Sequence, residues 1–423
     1  YGLKAAHRKQ ERVALLVMDL DRFKDINDSY GHLIGDELLQ LVAGRLNHRL
    51  RESDLVTRLG GDEFAVLMQG IDHLEDAAIL ATDIIQTLSE PCQLQEGLEL
   101  QIGTSIGISL FPEHGVTAET LLQHADSALY QAKKEGRGRF CYFSEELTRA
   151  ARQRIEIHNN LRHALAENSL RISYQPQIEF ESGNIVGAEA LLRWRDPELG
   201  DISPELFIPV AEETGLINRI GEWVLREVCT QGKKWLEQGH PPLSLAVNLS
   251  VHQLRQGDFV EKVGQIVEDT GYLTGQLSFE VTESAIMERE TESLEVLNQL
   301  RGMGFHLSID DFGTGYSSLA HLQRMPLDEL KIDKTFIDEI PHKREDMEIT
   351  STIIAMAKNL GLIVLAEGVE TDAQYQFLRR QGCDFFQGYL ISPPIDTVKF
   401  GQLLDMEPDR LSSGTRRWLP VVR

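Results

Sequence analysis

The chain has 423 residues, 42% of them hydrophobic and 7% aromatic, with a formal net charge of −24. Those values fit two soluble domains, each large enough to bury a full core. They exclude a binder of DNA or RNA polymers, whose phosphates need a basic surface. Nucleotides stay open, because bound metal ions can offset carboxylates locally. No apolar run approaches the roughly 18 residues needed to span a bilayer, and no stretch of the sequence reads as a signal peptide. Cys92, Cys141, Cys229 and Cys383 are scattered without metal-type spacing, so reduced thiols in a cytoplasmic compartment are expected. The chain opens at Tyr1 without a Met, inside what reads as a first helix. It is therefore expected to be a fragment, and any inner-membrane tether would lie upstream.

The first predicted strand, Val13–Met18, is apolar and ends at Asp19 and Asp21, with Lys24 following. Acids at the end of a buried strand are costly unless a cation or polar partner receives them. A hairpin follows, with strands around Leu55-Val56 and Phe64–Leu67 and the turn Gly60-Gly61-Asp62-Glu63. Glycines there remove side chains that would keep a phosphate from the backbone, and the acids can hold its divalent metal. Read alone, this is an ordinary Gly-Asp hairpin with solvated acids. The acidic end of the first strand decides against that reading. A strand-end Asp facing an acidic hairpin is the arrangement a palm-like sheet uses to hold metals near a triphosphate.

Phe140–Phe143 reads as the last strand of the first domain, and residues 144–168 as a helix. Leu147, Ile155, Leu161 and Leu165 form its interrupted apolar stripe, and Ser144 is placed to cap it. Such a helix could couple two domains or simply dock on the second. Eight candidate strands then alternate with helices: Leu170–Gln177, Ile185–Trp194, Leu243–Leu249, Leu277–Val281, His306–Ile309, Glu329–Ile332, Leu362–Ala366 and Phe386–Leu390. This order predicts a closed (β/α)8-type barrel. Asn248, Glu280, Asp310-Asp311, Lys331 and Glu367 sit at or near strand C-termini, where such barrels place active sites. Oxygen donors from Glu189, Asn248, Glu280 and Asp310, without His or Cys, suit Mg2+ or Mn2+. A second ion sharing Asp310, with Asp311 and Glu367, would complete a two-metal hydrolytic centre. His240, His252 and His321 lack metal-type spacing and read as solvated or structural.

With Asn27, Gly31, His32 and Asp36 added to the strand end and the Gly-Gly-Asp-Glu turn, residues 1–147 resemble the GGDEF family of diguanylate cyclases. That resemblance implies a palm-like α/β sandwich with a mainly antiparallel sheet, truncated at its N-terminal edge. It implies condensation of two GTP into cyclic di-GMP with one or two metal ions. Asp19, the Leu20 carbonyl, Asp62 and Glu63 would be metal ligands, and Glu63 also a candidate base. Asn27 and Asp36 would read guanine, while Lys24, Lys133 and Arg137 would contact the triphosphate. Arg51 and Asp54 would form a product-binding inhibitory pair, the plain alternative being a surface ion pair.

Glu189-Ala-Leu, Asn248, Glu280-Val-Thr-Glu283, Asp310-Asp311-Phe-Gly, Lys331-Ile-Asp and Ala-Glu367-Gly resemble the EAL family of cyclic di-GMP phosphodiesterases, over residues 158–410. The resemblance implies a TIM-like barrel holding two metal ions. Lys331 and Glu367 would handle the attacking water, and Gln175, Arg193 and Gln387 would contact ligand. Glu283 would anchor the loop Asp311–Ser318. Residues 148–168 would be the helical linker and the start of this domain, and 411–423 a tail. The expectation is a two-domain α/β protein, homodimeric, that makes and degrades cyclic di-GMP. A phosphodiesterase with a GTP-sensing first domain, or a cyclic di-GMP receptor, are the alternatives.

Overall fold

The computed structural model describes Leu3, Ala6 and residues 11–406, apart from 52, 72, 95–97, 166, 168, 288–289 and 314–318. The expected tail 411–423, most of the opening helix and most of the loop Asp311–Ser318 therefore lie outside the described residues. The chain forms two compact units, 1–159 and 160–423.

In the first unit, strands β1 (Arg12–Asp21), β2 (Leu55–Gly60), β3 (Glu63–Ile71), β4 (Gly103–Phe111) and β5 (Phe140–Tyr142) form one sheet in the order β2-β3-β1-β4-β5. The pairs β2–β3, β3–β1 and β1–β4 are antiparallel, and β4–β5 is parallel. Strand alternation sends Ala14, Leu16 and Met18 to one face, where they share a core with Leu38, Val42, Ala81 and Ile84. Helix α1 (Phe23–Tyr30) leads into α2 (His32–Arg49), and those four residues lie on α2 and α3 (Asp76–Ser89). Val17 on the other face packs against Ala125 and Leu129 of α4 (Ala118–Lys134). The result is helices on both faces of a central sheet, with β1 in the middle.

Helix α5 (Glu145–Ala164) follows, and Ser144 Oγ accepts the Leu147 N–H at its start, 3.3 Å away. Leu147, Ala151 and Ile155 pack against the first unit's core, so this half of the helix docks there.

The second unit closes eight strands into a barrel: β6 (Leu170–Glu179), β7 (Ile185–Asp196), β8 (Ser244–Asn248), β9 (Leu277–Thr282), β10 (His306–Phe312), β11 (Glu329–Ile332), β12 (Ile363–Ala366) and β13 (Phe385–Phe386). Neighbours from β7 to β13 are parallel, while β6 is antiparallel to both β7 and β13. The short loop 180–184 between β6 and β7 is a hairpin connection and cannot make a parallel crossover. The last strand is shorter than the expected Phe386–Leu390. A Cβ on Gly388 would lie 2.3 Å from the Val369 nitrogen, and the chain turns there, against Val369 backbone.

Candidate functional sites

Two sites grow from strand ends. In the first unit, β1 continues its α4-facing row from Val17 to Asp19, and α4 continues its own from Leu129 to Lys133. The apolar contact thus becomes an ion pair, Lys133 Nζ to Asp19 Oδ2 at 2.7 Å. Burial raises the Asp19 pKa above the carboxylate range, with Lys133 opposing it. Asp19 faces Glu63 across the β1–β3 ladder, and the Leu20 N–H donates to the Asp62 carbonyl at 3.3 Å. The hairpin therefore brings its acids to the end of β1, as expected.

Gly61 has φ +54°, and neither Gly60 nor Gly61 would meet an atom within 4 Å through an added Cβ. Open space lies over the turn, and Arg58 closes it from beneath by donating to the Gly61 carbonyl at 2.6 and 2.9 Å. Asn27 lies against Gly35, where any Cβ would come within 1.9 Å of its Oδ1, and Asp36 is the next residue, exposed. Lys24 is exposed at the start of α1. Arg51 and Asp54 form a turn in which Asp54 Oδ2 accepts the Arg51 backbone N–H at 3.1 Å. Among the described residues no ion pair joins the Arg51 guanidinium to Asp54.

Asp21 is better held than the sequence suggests. Its Oδ1 accepts from Ser105 Oγ at 2.8 Å, and its Oδ2 from the Gly138 N–H at 3.1 Å. Arg137 Nε lies 3.9 Å from Oδ1. Ser105 shares its strand with Thr104 and Ser109, so its residue type did not single it out, and the Gly138 amide left no sequence signal.

The barrel site is closed and crowded. Lys331 is fully buried, with its Nζ 2.7 Å from Glu367 Oε1, 2.9 Å from Glu280 Oε2, 3.2 Å from Asp310 Oδ1 and 3.6 Å from Glu189 Oε2. Parallel register places Asn248 beside Glu280. Asn248 Nδ2 donates to Glu189 Oε1 at 2.8 Å. Gln387 is buried, and its amide donates to Glu189 Oε2 at 2.7 Å and to Glu367 Oε1 at 2.9 Å. Gln387, expected at the ligand, ties two carboxylates together. Gln177, not singled out from the sequence, supports it by donating to its Oε1 at 3.2 Å. Gln175 pairs with Glu189 across β6–β7.

Burial opposes charge on Lys331, but Asp310, Glu189, Glu280 and Glu367 hold its pKa well above the ordinary lysine value. One ammonium cannot neutralise them all. Burial drives Glu280 well above the carboxylate range, Glu367 up to about 8 and Asp311 up to about 6. Burial also presses on Glu189, yet Lys331, Gln387 and Asn248 hold it below the ordinary value. Deeper in the barrel, Glu329 accepts from Ser308 Oγ at 3.0 Å and is pushed up to about 7 by burial.

The donor set fits a divalent cation. Glu280 Oε1 is buried without a hydrogen-bond partner. Asp310, Asp311 and Glu367 each offer an oxygen within 4.8 Å of the others. Five carboxylates against one ammonium, all oxygen donors, suit a hard ion. A cavity of about 440 Å3 adjoins the mouth, lined by Arg193, Glu212, Asn248 and Ser250 among others. Arg193 is half-buried, its pKa lowered by desolvation. Glu283 is buried at the head of the helix Glu283–Met287. Its expected partner loop is described only to Gly313.

A palm-like sheet with acids at a glycine turn, followed by a barrel with a carboxylate–lysine mouth, defines a tandem of two phosphate-site domains. Residues 158–394 match the family model for the EAL domain, and residues 2–139 that for the diguanylate cyclase, GGDEF domain. The chain belongs to the EAL family, with a GGDEF domain in tandem ahead of it.

It is 44% identical over 394 residues to the bifunctional diguanylate cyclase/cyclic di-GMP phosphodiesterase MucR of Pseudomonas aeruginosa, covering 93% of this chain and 57% of that protein. It is 38% identical over 395 residues to the cyclic di-GMP phosphodiesterase PdeR of Escherichia coli, covering 93% and 59%. The chain thus spans about half the length of the curated relatives it matches. Among solved structures it is similar to the PaMucR phosphodiesterase in complex with c-di-GMP, with 45% identity and TM-score 0.56, covering 58% of this chain and 99% of that one. The EAL enzyme Bd1971 bound to cAMP and cyclic di-GMP gives 28% identity and TM-score 0.58, covering 72% and 82%.

Proposed function

We propose that the barrel hydrolyses cyclic di-GMP to linear pGpG with two Mg2+ or Mn2+ ions. The observation that carries this reading is the convergence of four carboxylates on one buried lysine at the barrel mouth, with Asp311 beside two of them. Glu189, Asn248, Glu280 and Asp310 would hold one ion, and Asp310, Asp311 and Glu367 the other. Bound ions would shield the phosphate's charge and make water more acidic. Water adds to one phosphorus, the P–O3′ bond breaks, and the 3′-oxygen leaves with a proton. Lys331 would orient the incoming water, and Glu367 in its carboxylate form would accept its proton; burial raises the Glu367 pKa to about 8, and a bound cation would favour the ionised form. Gln387 keeps Glu189 and Glu367 in place, and Arg193 faces the ligand cavity.

The first unit supports a second activity, condensation of two GTP with release of two pyrophosphates. Asp19, Asp62 and Glu63 would hold metal, Asn27 and Asp36 the guanine, and Lys24, Lys133 and Arg137 the triphosphate. Each unit presents one nucleotide, so synthesis requires two copies and should rise steeply with protein concentration. Arg51 and Asp54, free of each other as an ion pair, would bind product. Among the described residues no helix is long and apolar enough to cross a membrane. The test is to incubate the chain separately with cyclic di-GMP and with GTP, each with Mg2+, and identify the products. pGpG from the first is expected, and Ca2+ should suppress it because its looser shell misplaces the reactants. Intact cyclic di-GMP under both Mg2+ and Mn2+ would overturn the phosphodiesterase reading.

A further inference from the structure

The turn that carries Lys133 and Arg137 is held from behind by a residue of helix α5. Residues 136–138 are all left-handed, with φ +117°, +64° and +59°, and the middle one is Arg137. A non-glycine residue in this conformation is strained and persists only where its surroundings impose it. From the front, the Gly138 N–H is fixed by Asp21. Glu135, next to the turn, is the hub behind it. Its Oε1 accepts from Gln131 at 2.9 Å, and its Oε2 meets Arg139 at 3.6 Å and Arg152 at 3.1 Å. Arg152 NH2 also donates to the Phe140 carbonyl at 3.2 Å and lies 3.6 Å from Cys141 Sγ. One guanidinium nitrogen on α5 thus spans both ends of the turn, the C-terminal end of α4 and the start of β5.

We propose that Arg152, through Glu135, is a positioning residue for the nucleotide site of the first unit, holding residues 135–139 so that Lys133 and Arg137 face the triphosphate. The proposal rests on the GTP reading above. Arg152 touches no nucleotide itself. An exposed ion pair ordinarily contributes almost nothing. The difference here is that one guanidinium nitrogen donates to both the Glu135 carboxylate and the Phe140 carbonyl, at the two ends of a strained turn, a reach that a lysine ammonium reproduces only in part.

The test measures binding of Mg2+–GTP to the full chain by calorimetry, together with amide exchange across residues 136–139. Arg152→Ala is expected to weaken binding about five-fold, the scale of one lost charge-assisted contact, and to speed exchange at Gly138. Arg152→Lys should fall between it and the wild type. Far-UV circular dichroism of Arg152→Ala should keep the wild-type helix content, which a misfolded α5 would not. Wild-type binding that Arg152→Ala leaves unchanged, with Gly138 exchange unaltered, overturns the latch alone. A wild-type chain that does not bind Mg2+–GTP overturns the nucleotide reading and the latch with it.

Discussion

The two sites solve the same electrostatic problem in opposite ways. In the barrel, Glu189, Glu280, Asp310 and Glu367 are drawn from four different elements and gathered around one buried ammonium before any ligand arrives. In the first unit, Glu63 is exposed and Asp62 half-buried, while Asp19 pairs with Lys133 and Asp21 lies near Arg137. The enclosed site has its charges in place and holds several of them against their preference, as the raised Glu280 and Glu367 show. The open site leaves its acids in water, where they cost little, and depends on ligand to complete it. Buried charge therefore concentrates in the barrel, and removal of single residues should separate the two halves.

The largest expected effect is on hydrolysis. Glu189→Ala removes a carboxylate that receives both Asn248 and Gln387. Cyclic di-GMP hydrolysis should fall by about 10^3-fold or more, with GTP binding unchanged. A variant that keeps a tenth of the activity would remove Glu189 from the site.

Stability gives the sharpest contrast. Lys331→Met leaves four buried carboxylates without their ammonium, and breaking a buried ion cluster in this way costs about 3–5 kcal/mol. The thermal transition should drop and recover partly with Mn2+, which replaces the lost positive charge. Asp62→Ala, on an open turn, should change stability by less than about 0.5 kcal/mol. Equal melting of the two variants would erase the distinction between a prebuilt and an open site.

Gln387→Leu tests the amide bridge. It removes two donors and adds no charge, so the carboxylates stay but lose their orientation. Metal affinity or hydrolysis should weaken about 10–100-fold, the range for residues that orient ligands from behind. If hydrolysis stayed normal while KM alone rose, Gln387 would instead be a ligand contact, as the sequence suggested.

That last ambiguity shows what a sequence can carry. Asn248, Glu280, Asp310 and Glu367 were legible because each interrupts or ends an apolar strand, and strand parity turns that interruption into a direction. Asp19 was legible for the same reason. Lys331 could be placed near the site, but its contact with four carboxylates depends on barrel closure, which no local pattern encodes. Gln387 and Gln177 lie far apart in sequence and meet only where β6 pairs with β13. The antiparallel first strand was missed although the short loop 180–184 carried the signal; the alternating element order was allowed to outweigh it. The clamp on residues 136–138 involves backbone amides and a guanidinium from the following helix, so side-chain identity alone could not reveal it.

The smallest effect returns to the first unit, which buries a base where the barrel buries acids. His114 is 9% exposed, and its Nδ1 accepts the Leu110 N–H at 3.1 Å, which requires a neutral ring. Burial lowers its pKa below the ordinary 6.5, Glu113 raises it in part, and His124 lowers it further. The Phe143 ring packs edge-on at 5.7 Å and adds no charge. The unfolded chain therefore binds a proton at a higher pH than the folded one. His114's contribution is complete above pH 6.5 and declines as pH falls from there toward the depressed folded value, by at most about 1.4 kcal/mol per pH unit. Exchange of the Leu110 amide in the full chain, corrected for its intrinsic pH dependence, should lose protection between pH 7 and pH 5. In His114→Gln, whose side-chain carbonyl can still accept that N–H but does not titrate, this loss should shrink. The same slope in both chains would assign the acid sensitivity to another group.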